Sequence, residues 1–546
     1  MKLIYALLIL LVVSVGCSKN SDGGKSGTKD IFIQALESEP SDLHPIRASE
    51  VVSTQVRLQS IHYASSIIET LLITDLDTYE SKPHLAERFE VSKDQKTFTF
   101  YLRKDVKFHD GTMMTSEDVD FSFKALFDDL YESYPLRSFY TNFVKSEIVD
   151  KYTIKFTAKD TYFLNLEVIG GLRVFPKAFY SKQTKENRLG KTVMGSGPYK
   201  FDKWNKGKSI TLVENTDWWG RANEATKDMY RFKRIIFKFI KEANLRRAML
   251  ERGKLDYEGR VRPEDFVKKM NKKPWGDTVL KVKATNKLPK NMSFIGLNNN
   301  NKILKNRLVR KALAHLVNRE FINEKFYYGM NEPATGPFRI ASDYSNPKTK
   351  AIPFDPQKAK AILTKAGWTD TDKDGLLDKV IDGVKTPLVF SLLNSNKDTE
   401  KVITVIKEDM KKAGVKMVIE TIDWNAFTKA LDERKFDAVI MSWGGGGVNP
   451  DPTQIWHSKS ANGTGSNFVS YKNLKVDALI ESAINVVDKK KRLAEFHKIH
   501  DMIAEDAPYI FFFEPKYSLY AVSSRVVRPK DTYNYSVGPR MWSLPE

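Results

Sequence analysis

The stretch Pro387–Trp443, PLVFSLLNSNKDTEKVITVIKEDMKKAGVKMVIETIDWNAFTKALDERKFDAVIMSW, carries the fold in its changes of period. Pro387 to Leu393 is a run of β-formers. From Thr399 to Ala413, Val402, Ile403, Ile406 and Met410 recur at helical spacing, and Gly414 stops the helix. Val415 to Ile422 reads as a second strand, Trp424 to Arg434 as a second helix and Phe436 to Trp443 as a third strand. This βαβαβ order predicts an α/β class, with the three strands parallel neighbours in one sheet joined by right-handed crossovers. The helical patterns at Leu304 to Phe326, Asp355-Pro356 to Ala366 and Val476 to Ala507 are expected to cover that sheet. Ligands of open parallel sheets sit just beyond the carboxyl ends of the strands. The segment after Trp443, Gly444-Gly445-Gly446-Gly447-Val448-Asn449-Pro450-Asp451-Pro452, is therefore a site candidate in which glycine exposes backbone to a ligand. Its other reading is a flexible linker, although polar low-complexity sequence is missing on both sides.

A second informative string is Lys82–Val119, KPHLAERFEVSKDQKTFTFYLRKDVKFHDGTMMTSEDV. Thr97 to Leu102 alternates β-formers, Asp110-Gly111 is a turn pair, and Thr115 or Ser116 with Glu117 and Asp118 supplies a helix start with acids in its first turn. Upstream lie Glu39, Pro40, Leu43 and Pro45, and downstream Gly195-Ser196-Gly197-Pro198-Tyr199-Lys200, Asn215 and Trp218-Trp219. Together these resemble the signature segments of the family 5 (cluster C) extracellular solute-binding proteins, the receptors of bacterial ABC importers, over about residues 30–520. The resemblance implies a two-lobed Venus-flytrap fold of periplasmic binding protein class II type, with an extra inserted subdomain in the first lobe. The expected division is 29–64, 191–285 and 511–546 for the first lobe, 65–190 for the inserted subdomain and 286–510 for the second lobe, with crossovers near 285 and 510. The motif strings themselves read as scaffold that never touches ligand.

The N-terminus predicts an exported protein. Met1-Lys2 precedes an apolar run, Leu3 to Val15, too short for a permanent membrane span. Ser14-Val15-Gly16-Cys17 resembles a lipobox, and Cys17 is the single cysteine of the chain. The reading is a signal peptide over 1–16, lipidation at Cys17 and a Gly/Ser-rich tether over 17–28, which place the protein in the periplasm or at the cell surface, anchored to a membrane.

The 546 residues exceed what one core holds, so two or three domains are required. The net charge of +20 raises nucleic acid as a partner, but Lys and Arg are dispersed among acids and no nucleic-acid motif occurs. Gly207-Lys208-Ser209 mimics the end of a phosphate loop, yet Asp202 stands where its first glycine belongs. Asp370, Asp372, Asp374 and Asp378 around Gly375 follow calcium-loop spacing, but the twelfth position is Ile381, and a solvated acidic turn is the preferred reading. His497 and His500 lie three apart without a third metal ligand. No catalytic constellation is present, so no enzyme, resident metal or cofactor is expected.

Strand-end geometry gives ligand positions on the second lobe, where Trp424 and Trp443 also match the family, and the resemblance implies those on the first. Trp443, Gly444, Gly445, Gly446, Asn449 and Trp424 are assigned to the second lobe, and Arg47, Ser49, Tyr134 and Tyr140 to the first. Peptide-binding members carry an Asp three residues after the tryptophan that matches Trp443, where it pairs with the peptide amine; here that residue is Gly446. Leu431 and Ile440 occupy positions where some members carry arginine. The expected ligand is an oligopeptide held mainly through its backbone, delivered by a monomeric receptor to ABC permease subunits. The alternatives are an oligosaccharide or metal chelate, and a chaperone-like surface lipoprotein that kept the fold and lost transport.

Overall fold

The computed structural model describes residues 29–47, 66–462 and 465–545; the segments expected to be a signal peptide and tether, with Cys17, and Ser49 lie outside the described residues. The described chain builds two large sheets, one per lobe. The first has seven strands in the order Tyr199–Asn205, Ser209–Glu214, Arg234–Phe239, Ile31–Leu36, Tyr257–Glu258, Ser518–Ser523, Val279–Ala284. Ile31–Leu36 enters its middle, parallel to Arg234–Phe239. A four-stranded antiparallel sheet, Ala86–Val91, Thr97–Leu102, Thr153–Ala158 and Phe143–Asp150, shares a continuous core with it through Phe32, Phe98, Phe100 and Phe156. The helix Ser116–Lys124 starts at Thr115, whose backbone N–H donates to Asp118 Oδ2 at 2.9 Å.

The second sheet runs Asn331–Pro333, Tyr509–Pro515, Met292–Leu297, Ala438–Trp443, Val389–Asn394, Lys416–Thr421. Val389–Asn394 is parallel to both Lys416–Thr421 and Ala438–Trp443, so the first strand of the βαβαβ unit is its middle one and Lys416–Thr421 is the sheet edge. Alternate residues feed two cores: Ile295 and Leu297 face the helix Glu400–Lys412, with Val402, Ile406 and Met410, whereas Met292 and Phe294 face Phe496 and Tyr509. Two of the helices expected from periodicity are each broken in two. Leu304 to Phe326 becomes Arg307–His315 and Arg319–Tyr327, because Asn318 caps the second by accepting from Phe321 N–H. Val476 to Ala507 becomes Leu474–Ala483 and Lys489–Asp506, the latter capped by Asp488.

The chain passes between the sheets at 285–291 and again at Lys516-Tyr517. The return lies later than the expected 510, because Tyr509–Pro515 pairs with Met292–Leu297 and Asn331–Pro333 and so belongs to the second lobe. Glu514 stands at this return, with both carboxylate oxygens 3.2 Å from Ile340 N–H. Burial raises its carboxyl from 4.5 to about 7, against the pull of Arg339, while burial drives Lys290 of the other crossing down to about 8.

The scaffold motifs meet at one buried carboxylate. Glu69 accepts from Ser196 Oγ at 2.7 Å and from the indole N–H groups of Trp218 and Trp219 at 3.0 Å each, and His84 Nε2 lies 3.0 Å away. A Cβ at Gly195 would lie 2.0 Å from the Ile67 carbonyl oxygen and one at Gly197 2.6 Å from that of Ser66, so glycine is required for the chain to pass. Substituting Glu69→Ala strands these donors, and the expected loss is about 3–5 kcal/mol in urea unfolding; a loss below about 1 kcal/mol contradicts this account. The folded state holds the Glu514 proton more tightly than the unfolded chain does. Its contribution to stability therefore falls as pH rises from about 4.5 to about 7. Relative to wild type, Glu514→Gln is expected to gain stability across that interval, and a pH-independent difference between the two contradicts the assignment.

Candidate functional site

In the second sheet Met292, the first residue after the 285–291 crossing, pairs with Trp443, the last residue before the glycines. The glycine loop therefore leaves the sheet at the junction of the lobes. There it walls an interlobe cavity of about 1740 Å³. The second lobe contributes Trp443–Asp451 and the turn carrying Phe338, Arg339 and Tyr344; the first contributes Leu136, Phe139 and Tyr140 of the helix Tyr134–Tyr140, together with Tyr162 and Glu167. Lys287 and Pro289 of the crossing close one end.

Of the positions assigned from sequence, Trp443, Gly444, Gly445, Gly446, Asn449 and Tyr140 line this cavity. Trp443 stacks between Phe294 and Phe468, with centroids at 5.9 and 5.7 Å, which fixes its plane. Gly446 has φ +66 with nothing within 4 Å of an added Cβ, so its conformation and not crowding favours glycine. Burial pushes the Tyr140 phenol up to about 12.

Three assigned residues stand elsewhere. Tyr134 is 59% exposed at the start of its helix, outside the wall. Trp424 is 61% exposed and stacked on Phe427, because it follows the edge strand Lys416–Thr421, two strands away from Ala438–Trp443. Arg47 is a staple of the N-terminal segment: its guanidinium donates to Asp42 Oδ2 at 2.7 and 2.9 Å and to the Arg188 carbonyl at 2.6 Å.

Sequence reasoning missed Arg339, whose Nη2 donates to the Gly444 carbonyl while Nη1 has no hydrogen-bond partner among the described residues. It also missed Tyr162 and Glu167, which reach across the cleft: the Tyr162 hydroxyl donates to Asp451 Oδ2 and Asn449 Nδ2 donates to Glu167 Oε2, both at 2.8 Å. No local pattern marks these residues, since the partners lie 289 and 282 positions apart. Asp343 binds Lys489 at 2.9 Å and Lys287 at 3.5 Å, and Lys489 above all holds its carboxyl below the usual range.

Outside the cleft, Asp370, Asp372 and Asp374 do converge, with carboxylate oxygens within 4.8 Å of one another. The Lys385 ammonium occupies their flank, 2.6 Å from Asp372 and 3.4 Å from Asp378, and Asp370 and Asp374 accept from the Gly375 and Leu376 N–H groups. His497 and His500 point to different partners, the Asp343 carbonyl and Thr335 Oγ1.

Residues 80–466 match the family described as bacterial extracellular solute-binding proteins, family 5. The oligopeptide-binding protein AppA of Bacillus subtilis is 28% identical over 562 residues, covering 98% of this chain and 96% of that protein. Heme-binding protein A of Haemophilus influenzae is 24% identical over 540 residues, 93% of each. The structure of Bacillus subtilis AppA in complex with a nonapeptide superposes with a TM-score of 0.74 at 26% identity, over 94% of this chain and 99% of that one. NikA from Brucella suis in complex with Fe(III)-EDTA shares the fold with a TM-score of 0.78 at 21% identity, over 94% of this chain and 100% of that one. With the two-lobed fold, the interlobe cleft and a family match over most of its length, the chain belongs to the family 5 bacterial extracellular solute-binding proteins.

Proposed function

We propose that this protein captures oligopeptides between its lobes and delivers them to the membrane subunits of an ABC importer, performing no chemistry. The observation that carries the reading is the cleft wall: a glycine-rich loop offering main-chain groups opposite an apolar and aromatic face, around a cavity of about 1740 Å³. Such a volume exceeds the roughly 300–1,000 Å³ of ordinary small-molecule sites and suits an extended chain. Main-chain donors and acceptors bind any peptide regardless of side chain, and the exposed ring of Phe139, with the cavity-facing edge of Trp443, accepts varied side chains. The similarity to an oligopeptide-binding protein along nearly the whole chain supports the same ligand class. Lipidation at Cys17 would hold a monomeric receptor at the membrane where the permease resides.

A second reading, a non-peptide solute such as a metal chelate, draws on Gly446, which offers no carboxylate to a peptide amine, and on the similarity to heme-binding protein A. Thermal-shift titration separates the two. Di- to nonapeptides are expected to raise Tm by mass action; stabilisation by chelates or sugars alone overturns the peptide reading, and no response to any small solute favours a surface protein that has lost transport. With glycine at 446, N-acetylated peptides should bind within about tenfold of free ones by isothermal titration, whereas a loss of about a hundredfold shows that another carboxylate pairs with the amine. Replacing Cys17→Ala should release the protein from membranes or leave it unprocessed; a fully processed, membrane-bound variant contradicts lipid anchoring.

A further inference from the structure

We propose that Tyr162 and Glu167 are positioning residues for capture: they grip the ligand-side loop through Asp451 and Asn449 and clasp the lobes shut by contacts the protein makes with itself. This rests on reading the cleft as the solute site. Both residues follow the strand Thr153–Ala158 in the first lobe, Tyr162 in the loop and Glu167 on the short helix Asn165–Gly170. Their partners lie on the far side of the loop from Trp443.

The clasp is a connected network. Asp451 accepts from the Tyr162 hydroxyl on one oxygen and from Thr453 N–H on the other, each at 2.8 Å. Asn449 donates to Glu167 at 2.8 Å, and its own oxygen accepts from the Tyr344 hydroxyl at 3.0 Å. The Tyr344 oxygen in turn accepts from buried Arg492 at 3.2 and 3.3 Å, and Arg492 also donates to the Val486 and Val487 carbonyls at 2.8 Å or less. Between the two polar bonds Phe163 is inserted into the second lobe. Its N–H donates to the Ile484 carbonyl at 2.9 Å, its ring stands edge-on to Phe496 at 6.0 Å, and the Arg492 guanidinium lies 4.4 Å from its centroid.

Two consequences follow from this arrangement. Every bond from Tyr162, Phe163 and Glu167 named above ends on the second lobe, so all are lost together on opening and weigh the open–closed equilibrium whether or not a ligand is bound. The same loop walls the cavity, so a ligand leaves only after the clasp parts. The clasp therefore slows dissociation and, by the fraction of unliganded protein that it holds shut, association as well. Asp451 is committed to Tyr162 and Thr453 in the closed form and is thus a latch, not an anchor for a ligand amine.

The test uses the soluble full-length body with Cys17→Ser and spin labels at Lys203→Cys and Lys411→Cys, exposed positions on opposite lobes. Pulsed electron resonance without any ligand is expected to show a short interlobe distance that Tyr162→Phe and Asn449→Asp shift toward longer values, the second by setting a carboxylate against Glu167. In stopped-flow binding of a peptide, Tyr162→Phe is expected to raise koff about tenfold, with kon rising in step with the open fraction read from the distances. Circular dichroism and Tm guard against misfolding, and Tyr134→Phe, outside the cavity, serves as the control. Unchanged distances overturn the proposal: with unchanged koff Tyr162 has no part in capture, and with a raised koff it is a ligand contact and not a clasp. Because the distance measurement needs no ligand, it stands or fails independently of the ligand class.

Discussion

The strand Met292–Leu297 is held on one side by Ala438–Trp443 and on the other by Tyr509–Pro515, in a register that pairs Met292 with Trp443 and Ser293 with Phe513. This pairing governs much of the molecule. It brings the start of one strand, the end of a second and the end of a third to the same edge, so both passages between the lobes and the glycine loop emerge together. A one-residue slip would turn Phe294 and Ile295 to the wrong faces and empty both cores flanking the sheet, which is why the register is strongly specified. The glycine wall of the interlobe cavity therefore sits beside both crossings by construction.

Placing the wall at the hinge ties charge to motion. Glu514 at the return crossing is bonded to Ile340 N–H, beside Arg339, which in turn holds the Gly444 carbonyl. Lys287 of the outward crossing meets Asp343 of the same cavity turn. Across the cleft, Tyr162 and Glu167 fix the other end of the loop. The loop is thus held at one end by hinge-side groups and at the other by groups that engage only on closure, and glycine between them keeps its main chain available.

How much of this was legible in the sequence depends on how local the signal is. The period changes in Pro387–Trp443 revealed three strands and two helices, because burial on both sheet faces and on one helical face is written into neighbouring residues. Strand order is not written there, and for that reason Trp424 was assigned to a site from which an edge strand removes it. The return crossing was placed too early because Tyr509–Pro515 and Ser518–Ser523 are both apolar β-runs, and nothing in Lys516-Tyr517 announces a change of sheet. The breaks before Arg319 and Lys489 carried a signal, the capping side chains of Asn318 and Asp488, that apolar periodicity overrode. Arg47 approximately matches the family's pocket loops in sequence, yet its partner Asp42 lies five residues away and absorbs its charge. The cleft residues Arg339, Tyr162 and Glu167 had no such local marker, since only the assembled lobes bring them to the loop.

Native mass spectrometry of the protein, purified without denaturation from the cells that export it, tests the central account most directly. The expected result is a set of bound masses corresponding to peptides of mixed sequence, released when Trp443→Ala removes the aromatic wall. A single bound mass belonging to a chelate or sugar, or bound peptides retained unchanged by Trp443→Ala, would contradict capture in this cleft.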